Sequence, residues 1–205
     1  MSCSHKFIED LQLAYAKEWN PEILMVGTFN PEWPESNQAN WFYGRTGNNY
    51  FWELLPQLMG EKPMLDGNKE SWMEFCRRHR IAITDLIACI RTANEEEHLS
   101  IITGYSDKKI EKYFQSDDLV ITPIKEILKQ NPSIRQVYFT RSANQGLWKN
   151  LWEPIKEYCE AQGIHCETLL TPSPYARYQF TKDEKVKYKT LSQFILARWR
   201  EKWGK

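Results

Sequence analysis

Apolar residues along this chain come in short unbroken runs separated by stretches with helical spacing. The first run, Ile23-Leu24-Met25-Val26, is bounded by Glu22 on one side and by the turn formers Gly27 and Pro31 on the other. A run with no polar alternation suits a parallel strand buried on both faces. Residues 81–86 read as a second buried strand, 136–139 as a third and 165–170 as a fourth. Between the runs, helical spacing predicts a helix over residues 4–19, with Phe7, Leu11 and Tyr15 on one face and Asn20-Pro21 as its stop. A second helix carries Phe51, Leu54, Leu55 and Leu58 inward, with Asn48 or Asn49 as N-cap. Residues 70–80 follow, with Trp72, Phe75 and Cys76 inward, then helical patches at 108–114 and 121–130, the latter closed by Asn131-Pro132. Residues 145–161 present Leu147, Leu151, Ile155 and Tyr158 and end near Gly163, and a last amphipathic helix covers about 186–202. Residues 32–40 and 60–68 read as loops, and the acidic run 92–100 as an exposed insertion.

Strands that alternate with helices require right-handed crossovers and a parallel sheet covered on both faces. The expected fold class is therefore three-layer α/β/α with a four-stranded parallel sheet. In open α/β sheets, ligands bind outside the carboxyl ends of the strands. Those four ends carry Gly27-Thr28-Phe29-Asn30-Pro31, then Thr84-Asp85, then Thr140-Arg141-Ser142, and finally Thr171-Pro172-Ser173-Pro174-Tyr175-Ala176-Arg177.

Composition narrows the picture. With 205 residues, 41% of them hydrophobic, the chain can bury one good core, and a single domain over 1–205 is expected. Nine Trp, ten Tyr and nine Phe exceed what a core usually needs, so some are available for stacking bases, although core packing accounts for most. The zero net charge neither favours nor excludes a nucleic acid. Residues 175–205, however, hold nine Lys or Arg against three Asp or Glu, a stretch that suits a phosphate backbone or the solvated face of a helix. The five cysteines form no Cys-x-x-Cys and no other metal-ligand spacing, which points to free thiols in a reducing cytoplasm and to no metal. No signal peptide and no run of membrane-spanning length is present, so a soluble, cytoplasmic monomer with no membrane partner is expected.

Taken in order, the strand ends resemble the uracil-DNA glycosylase superfamily. Its members carry a Gly-x-Asn-Pro or Gly-x-Asp-Pro turn after the first strand and a His-Pro-Ser-Pro type loop after the last. Phe42-Tyr43-Gly44 followed by Asn49-Tyr50-Phe51-Trp52 is similar to a segment of the mismatch-specific uracil and hypoxanthine DNA glycosylases, and Asp85 with Leu86, Ile87 and Arg91 is similar to the stretch that reads the flipped base. The resemblance runs from about Ile23 to Arg177. It departs in three places. Gly27-x-x-Asn30-Pro31 is one residue longer than the usual turn, Thr171 stands where many relatives have His, and the iron-sulfur cysteine cluster of some thermophilic relatives is absent.

The resemblance implies a monofunctional glycosylase that hydrolyses the N-glycosidic bond of uracil or hypoxanthine in double- or single-stranded DNA, without a cofactor. Asn30 or Asn49 would orient the water, with the longer turn tilting the choice to Asn49. Backbone N–H groups of Gly27, Thr28 and Phe29 would face the departing base, with Thr171 beside it, and Phe42 or Tyr43 would stack on it. Asp85, an acceptor, fits the ring N–H that uracil and hypoxanthine share. Ser173 and Arg177 would hold phosphates, and Tyr175, after Pro174, would fill the vacated stack. Each residue also has a plainer role: Asn48 and Asn49 as helix caps, Asp85 as a turn cap, Asn30-Pro31 as an ordinary turn, and Tyr175 as a loop cover. Two other functions stay open, a DNA-binding module of this fold that has lost hydrolysis and a nucleoside or nucleotide hydrolase.

Overall fold

In the computed structural model, which describes residues 2–34, 37–44, 49–103 and 106–204, the first apolar run forms a strand buried along its whole length. In chain order the elements are β1 (Cys3–Ser4), β2 (Ile23–Gly27), α1 (Phe51–Leu58), α2 (Lys69–Arg78), β3 (Ile81–Asp85), β4 (Ile87–Ile90), α3 (Glu95–Ile102), α4 (Asp107–Tyr113), β5 (Leu119–Ile121), α5 (Ile124–Gln130), β6 (Gln136–Phe139), α6 (Gly146–Ala161), β7 (His165–Thr168), α7 (Lys182–Lys187) and α8 (Leu191–Lys202). Four strands make a parallel sheet in the order β3-β2-β6-β7. Gly27 pairs with Asp85, Val26 with Phe139, and Phe139 with Thr168, so all four carboxyl ends finish at one edge. That shared edge is what brings distant parts of the sequence together.

Successive residues of a strand point to opposite faces, and both faces here are covered. Leu24, Val26, Val137 and Phe139 pack with Trp148, Trp152 and Ile155 of α6 and Ile127 of α5. Ile23, Met25, Ile83 and Tyr138 pack with Phe51 and Trp52 of α1, Trp72 and Phe75 of α2, and Phe194 and Trp199 of α8. Most of the large aromatics are thus core, each contributing about 1.5–3 kcal/mol by burial. No helix among the described residues is long and apolar enough to cross a membrane.

The N-terminus departs from expectation. Residues 4–19 do not form one helix: β1 is followed by 3₁₀ turns at Ile8–Asp10 and Ala14–Trp19, with Leu13 and Asn20 in left-handed conformation. Backbone donors near the start are drawn to tertiary partners instead, His5 N–H to Ala88 O and Lys6 N–H to Asn30 O, both at 2.8 Å. A second, three-stranded antiparallel sheet β1-β4-β5 results, which apolar spacing did not predict. The acidic run at 92–100 is not simply exposed: Asn94 caps α3, three glutamates occupy its first turn, and Ile101 and Ile102 are buried. The apolar start of the 121–130 patch is the end of β5, with α5 following, and the last helix divides into α7 and α8. At the start of α1, Asn49 Oδ1 accepts the Phe51 N–H at 2.9 Å, while Asn48 lies outside the described residues.

Candidate active site

The carboxyl edge of the sheet opens into a cleft of about 710 Å³ whose walls come from all four strand ends. Its geometry starts at Gly27. A Cβ there would lie 2.0 Å from Asp85 Oδ1 and 2.6 Å from the Tyr43 hydroxyl, so only glycine lets both groups crowd against the end of β2. The turn that follows is pinned to the β3–β4 junction, where Leu86 N–H donates to Gly27 O and Ile87 N–H to Thr28 O, each at 2.9 Å.

Asp85 ends β3, lines the cleft and is only 6% exposed. Its Oδ2 meets His5 Nε2 at 2.8 Å, and His5 Nδ1 accepts the Phe7 N–H at 2.9 Å. A charge buried to this degree needs such a partner. The same partnership is a finding about the N-terminal segment, which crosses the mouth of β2: His5 bridges to Pro31, and Glu32 N–H donates to Ser4 O at 2.9 Å.

Thr28, Phe29 and Asn30 all line the cleft. Asn30 is buried, and its Oδ1 accepts from Asn37 Nδ2 at 2.9 Å; Asn37 Nδ2 also donates to Pro31 O at 2.6 Å. Phe29 packs into the core with its ring edge toward His5. Thr28 shares the cleft wall with Asp107, the first residue of α4, whose carboxylate is held by Arg141 from the mouth of β6. Burial pushes the Asp107 carboxyl above its ordinary value, against the opposing pull of Arg141 and Thr28. Arg141 in turn lies over the Trp148 ring at 4.4 Å.

Tyr43 reaches the cleft from a left-handed backbone conformation, stacks on Phe51 at 3.8 Å between centroids, and shares a 2.7 Å hydrogen bond with Thr140 Oγ1. Burial, helped by the nearby Asp85, raises its phenol well above the ordinary value, so it stays protonated and can donate. Phe42, the other expected stacking residue, is fully buried against His5, Phe7 and Trp41 and is not on the cleft wall; Trp52 Nε1 holds its carbonyl at 2.9 Å. Asn49 is on the wall, half-buried, and the next residue ties α1 to the last strand mouth through Tyr50 N–H to Pro172 O at 2.7 Å.

The fourth wall is the loop after β7. Thr171 and Ser173 share a 3.0 Å hydroxyl contact, and Trp199 Nε1 fixes the loop through Leu170 O at 2.7 Å. Pro174 begins a 3₁₀ turn, Pro174–Tyr178, that sets Tyr175 and Tyr178 on the rim, 58% and 68% exposed. Two large aromatics this exposed stand out in a chain that buries most of its others. Arg177 faces away from the cleft, into a separate groove with Phe180, Lys185 and Lys189.

The cleft thus gathers Thr28, Phe29, Asn30, Tyr43, Asn49, Asp85, Thr171, Ser173, Pro174 and Tyr175, with Gly27 behind Asp85 and Tyr43 and with Phe42 and Arg177 outside it. His5, Asp107 and Arg141 are the residues that motif spacing did not assign. No family model matches this chain, and no curated protein matches it by sequence. Among solved structures, the solution NMR structure of a candidate uracil DNA glycosylase from Methanosarcina acetivorans resembles it with a TM-score of 0.51 over 86% of this chain and 92% of that one, at 19% identity. The two share a fold, a four-stranded parallel sheet flanked by helices.

Proposed function

We propose that this chain is a monofunctional DNA glycosylase of the uracil-DNA glycosylase superfamily, nearest in motif to its mismatch-specific uracil and hypoxanthine branch. Its substrate would be a deaminated base flipped out of DNA. One observation carries the reading: a buried carboxylate, two carboxamides and an exposed aromatic rim converge on one cleft, through Asp85, Asn30, Asn49 and Tyr175. The shared fold with the Methanosarcina protein, named as a candidate uracil DNA glycosylase, supports it.

Cleaving an N-glycosidic bond builds positive charge on the sugar and negative charge on the base. The sugar then accepts a weak nucleophile, so a carboxamide oxygen that orients water suffices, and Asn30 and Asn49 are the candidates. Asp85 would accept the ring N–H of uracil or hypoxanthine, while N–H groups of the turn after Gly27 and the Tyr43 hydroxyl would meet the base's developing charge. Extruding the nucleotide costs a few kcal/mol. Stacking against an aromatic wall returns about 1–3 kcal/mol, and Tyr175 would occupy the gap left in the duplex. Ser173 and Pro174 would meet the strand at the rim and Arg177 a phosphate beyond it.

Duplex oligonucleotides carrying uracil, hypoxanthine, xanthine or a G·T mismatch, incubated with the protein and then treated with alkali, test this reading. Cleavage at one or more of the modified positions is expected, and none at any position would exclude it. The Thr171 hydroxyl in place of an imidazole favours a second reading, a DNA-binding module without hydrolysis. Retention of the modified duplex with no alkali-labile site would select it.

A further inference from the structure

His5 belongs to no strand mouth, yet it is the described residue that hydrogen-bonds the Asp85 side chain. Its ring is fully buried and walled by Phe7, Phe29 and Phe42. Because Nδ1 accepts the Phe7 N–H, the ring proton sits on Nε2 and is donated to Asp85 Oδ2. The backbone clamps the ring from both sides, since His5 N–H donates to Ala88 O and Lys6 N–H to Asn30 O. The other carboxylate oxygen, Oδ1, lies against Gly27 at the end of β2, beside the cleft that Asp85 lines, and no described residue donates to it.

We propose that His5 is the positioning residue for base recognition: by tying down Oδ2, it leaves Oδ1 as a fixed acceptor for the ring N–H of a lactam base. An aspartate side chain turns easily about its last torsion. A free carboxylate would have to be ordered each time a base entered, and fixing it beforehand removes that cost from binding. An apolar residue at position 5 would leave both oxygens buried without a donor. Gly27 completes the device, since any side chain there would displace Oδ1. The choice of a lactam base rests on the glycosylase reading, whereas the tie between His5 and Asp85 does not.

The test is an NMR titration of the full chain with free uracil and free hypoxanthine, for the parent, His5→Ala, His5→Gln, Asp85→Ala and the double variant His5→Ala/Asp85→Ala. A glutamine amide carries an N–H close to where Nε2–H stands. The parent is expected to bind both bases, His5→Ala to bind them about tenfold more weakly, the weight of one hydrogen bond to a charged group, and His5→Gln to recover most of that loss. In the Asp85→Ala background, His5→Ala should have no further effect. Should His5→Ala fail to fold, His5→Leu and His5→Gln, similar in size, give the same contrast. Parent binding to neither base, variants that bind like the parent, or an equal loss with and without Asp85 would each overturn the proposal. Bases bound in the expected pattern but never released from DNA would remove the glycosylase reading and leave the pairing standing.

Discussion

In the proposed function, which carboxamide would serve the sugar depends on the lone pair each has left. Asn30 Oδ1 accepts from Asn37, and Asn49 Oδ1 from the Phe51 N–H. An amide oxygen has two lone pairs, so each keeps one for a water. Asn49 is the more open of the two, and Asn49→Ala is expected to slow single-turnover cleavage by about 10² to 10⁴-fold, while losing the acceptor of the Phe51 N–H costs about 1 kcal/mol of stability. Asn30→Ala removes an acceptor from buried Asn37 and should cost about 1 kcal/mol of stability, modest because Asn37 keeps Pro31 O. If both variants cleave at the parent rate, water is not positioned by a carboxamide, and Asp85 becomes the candidate. Asp107 offers a separate check through pH. Burial raises its carboxyl above the ordinary 3.8, so the folded state holds that proton more tightly than the unfolded chain does. The stability this gives is complete below the ordinary value and is lost as pH rises through the raised one. Urea unfolding across that window should show the parent losing ground to Asp107→Asn as pH rises. A parent advantage that grows with pH would mean that Arg141 outweighs burial.

In the proposed function, strand opening falls to the 3₁₀ turn Pro174–Tyr178. Tyr175→Ala is expected to lower cleavage of paired substrate far more than of single-stranded substrate, because a wedge matters only where a stack must be opened. Equal losses on both would assign Tyr175 to the loop's own structure. The elements also differ in how far they could be read from the chain. β2, β3 and β6 were legible because burial on both faces leaves a mostly apolar run, and their parallel direction follows from the helical crossovers, whereas the half-buried edge strand β7 carries no such run. The cleft walls were legible for the same reason, since the residues after each run had to share one edge. The N-terminal segment was not: Phe7, Leu11 and Tyr15 keep helical spacing, but Leu13 and Asn20 take left-handed backbone and the N–H groups of His5 and Lys6 pair across the fold. Local periodicity carries no trace of such long-range pairing. His5 and Asp107 were missed on the same grounds, one inside a supposed helix and the other just before the helical patch at 108–114, and only tertiary contact reveals them.

For the whole molecule, zero net charge hides an uneven distribution. Residues 175–205 carry a surplus of six positive charges, and Arg177, Lys185 and Lys189 share a groove beside the rim rather than inside the cleft. Affinity for undamaged duplex is therefore expected to be weak and to fall steeply with salt, by a slope of about −0.9 for each phosphate contacted. A salt-independent affinity would show that these cations do not meet the strand. Hydrolysis at the cleft is tested most directly by mass spectrometry of free base released from a duplex with one uracil or one hypoxanthine, under excess protein. Stoichiometric release of the base is expected, with a strand that stays intact until alkali is added and loss of release in Asp85→Ala. No free base from either duplex, or a strand broken without alkali, would contradict it.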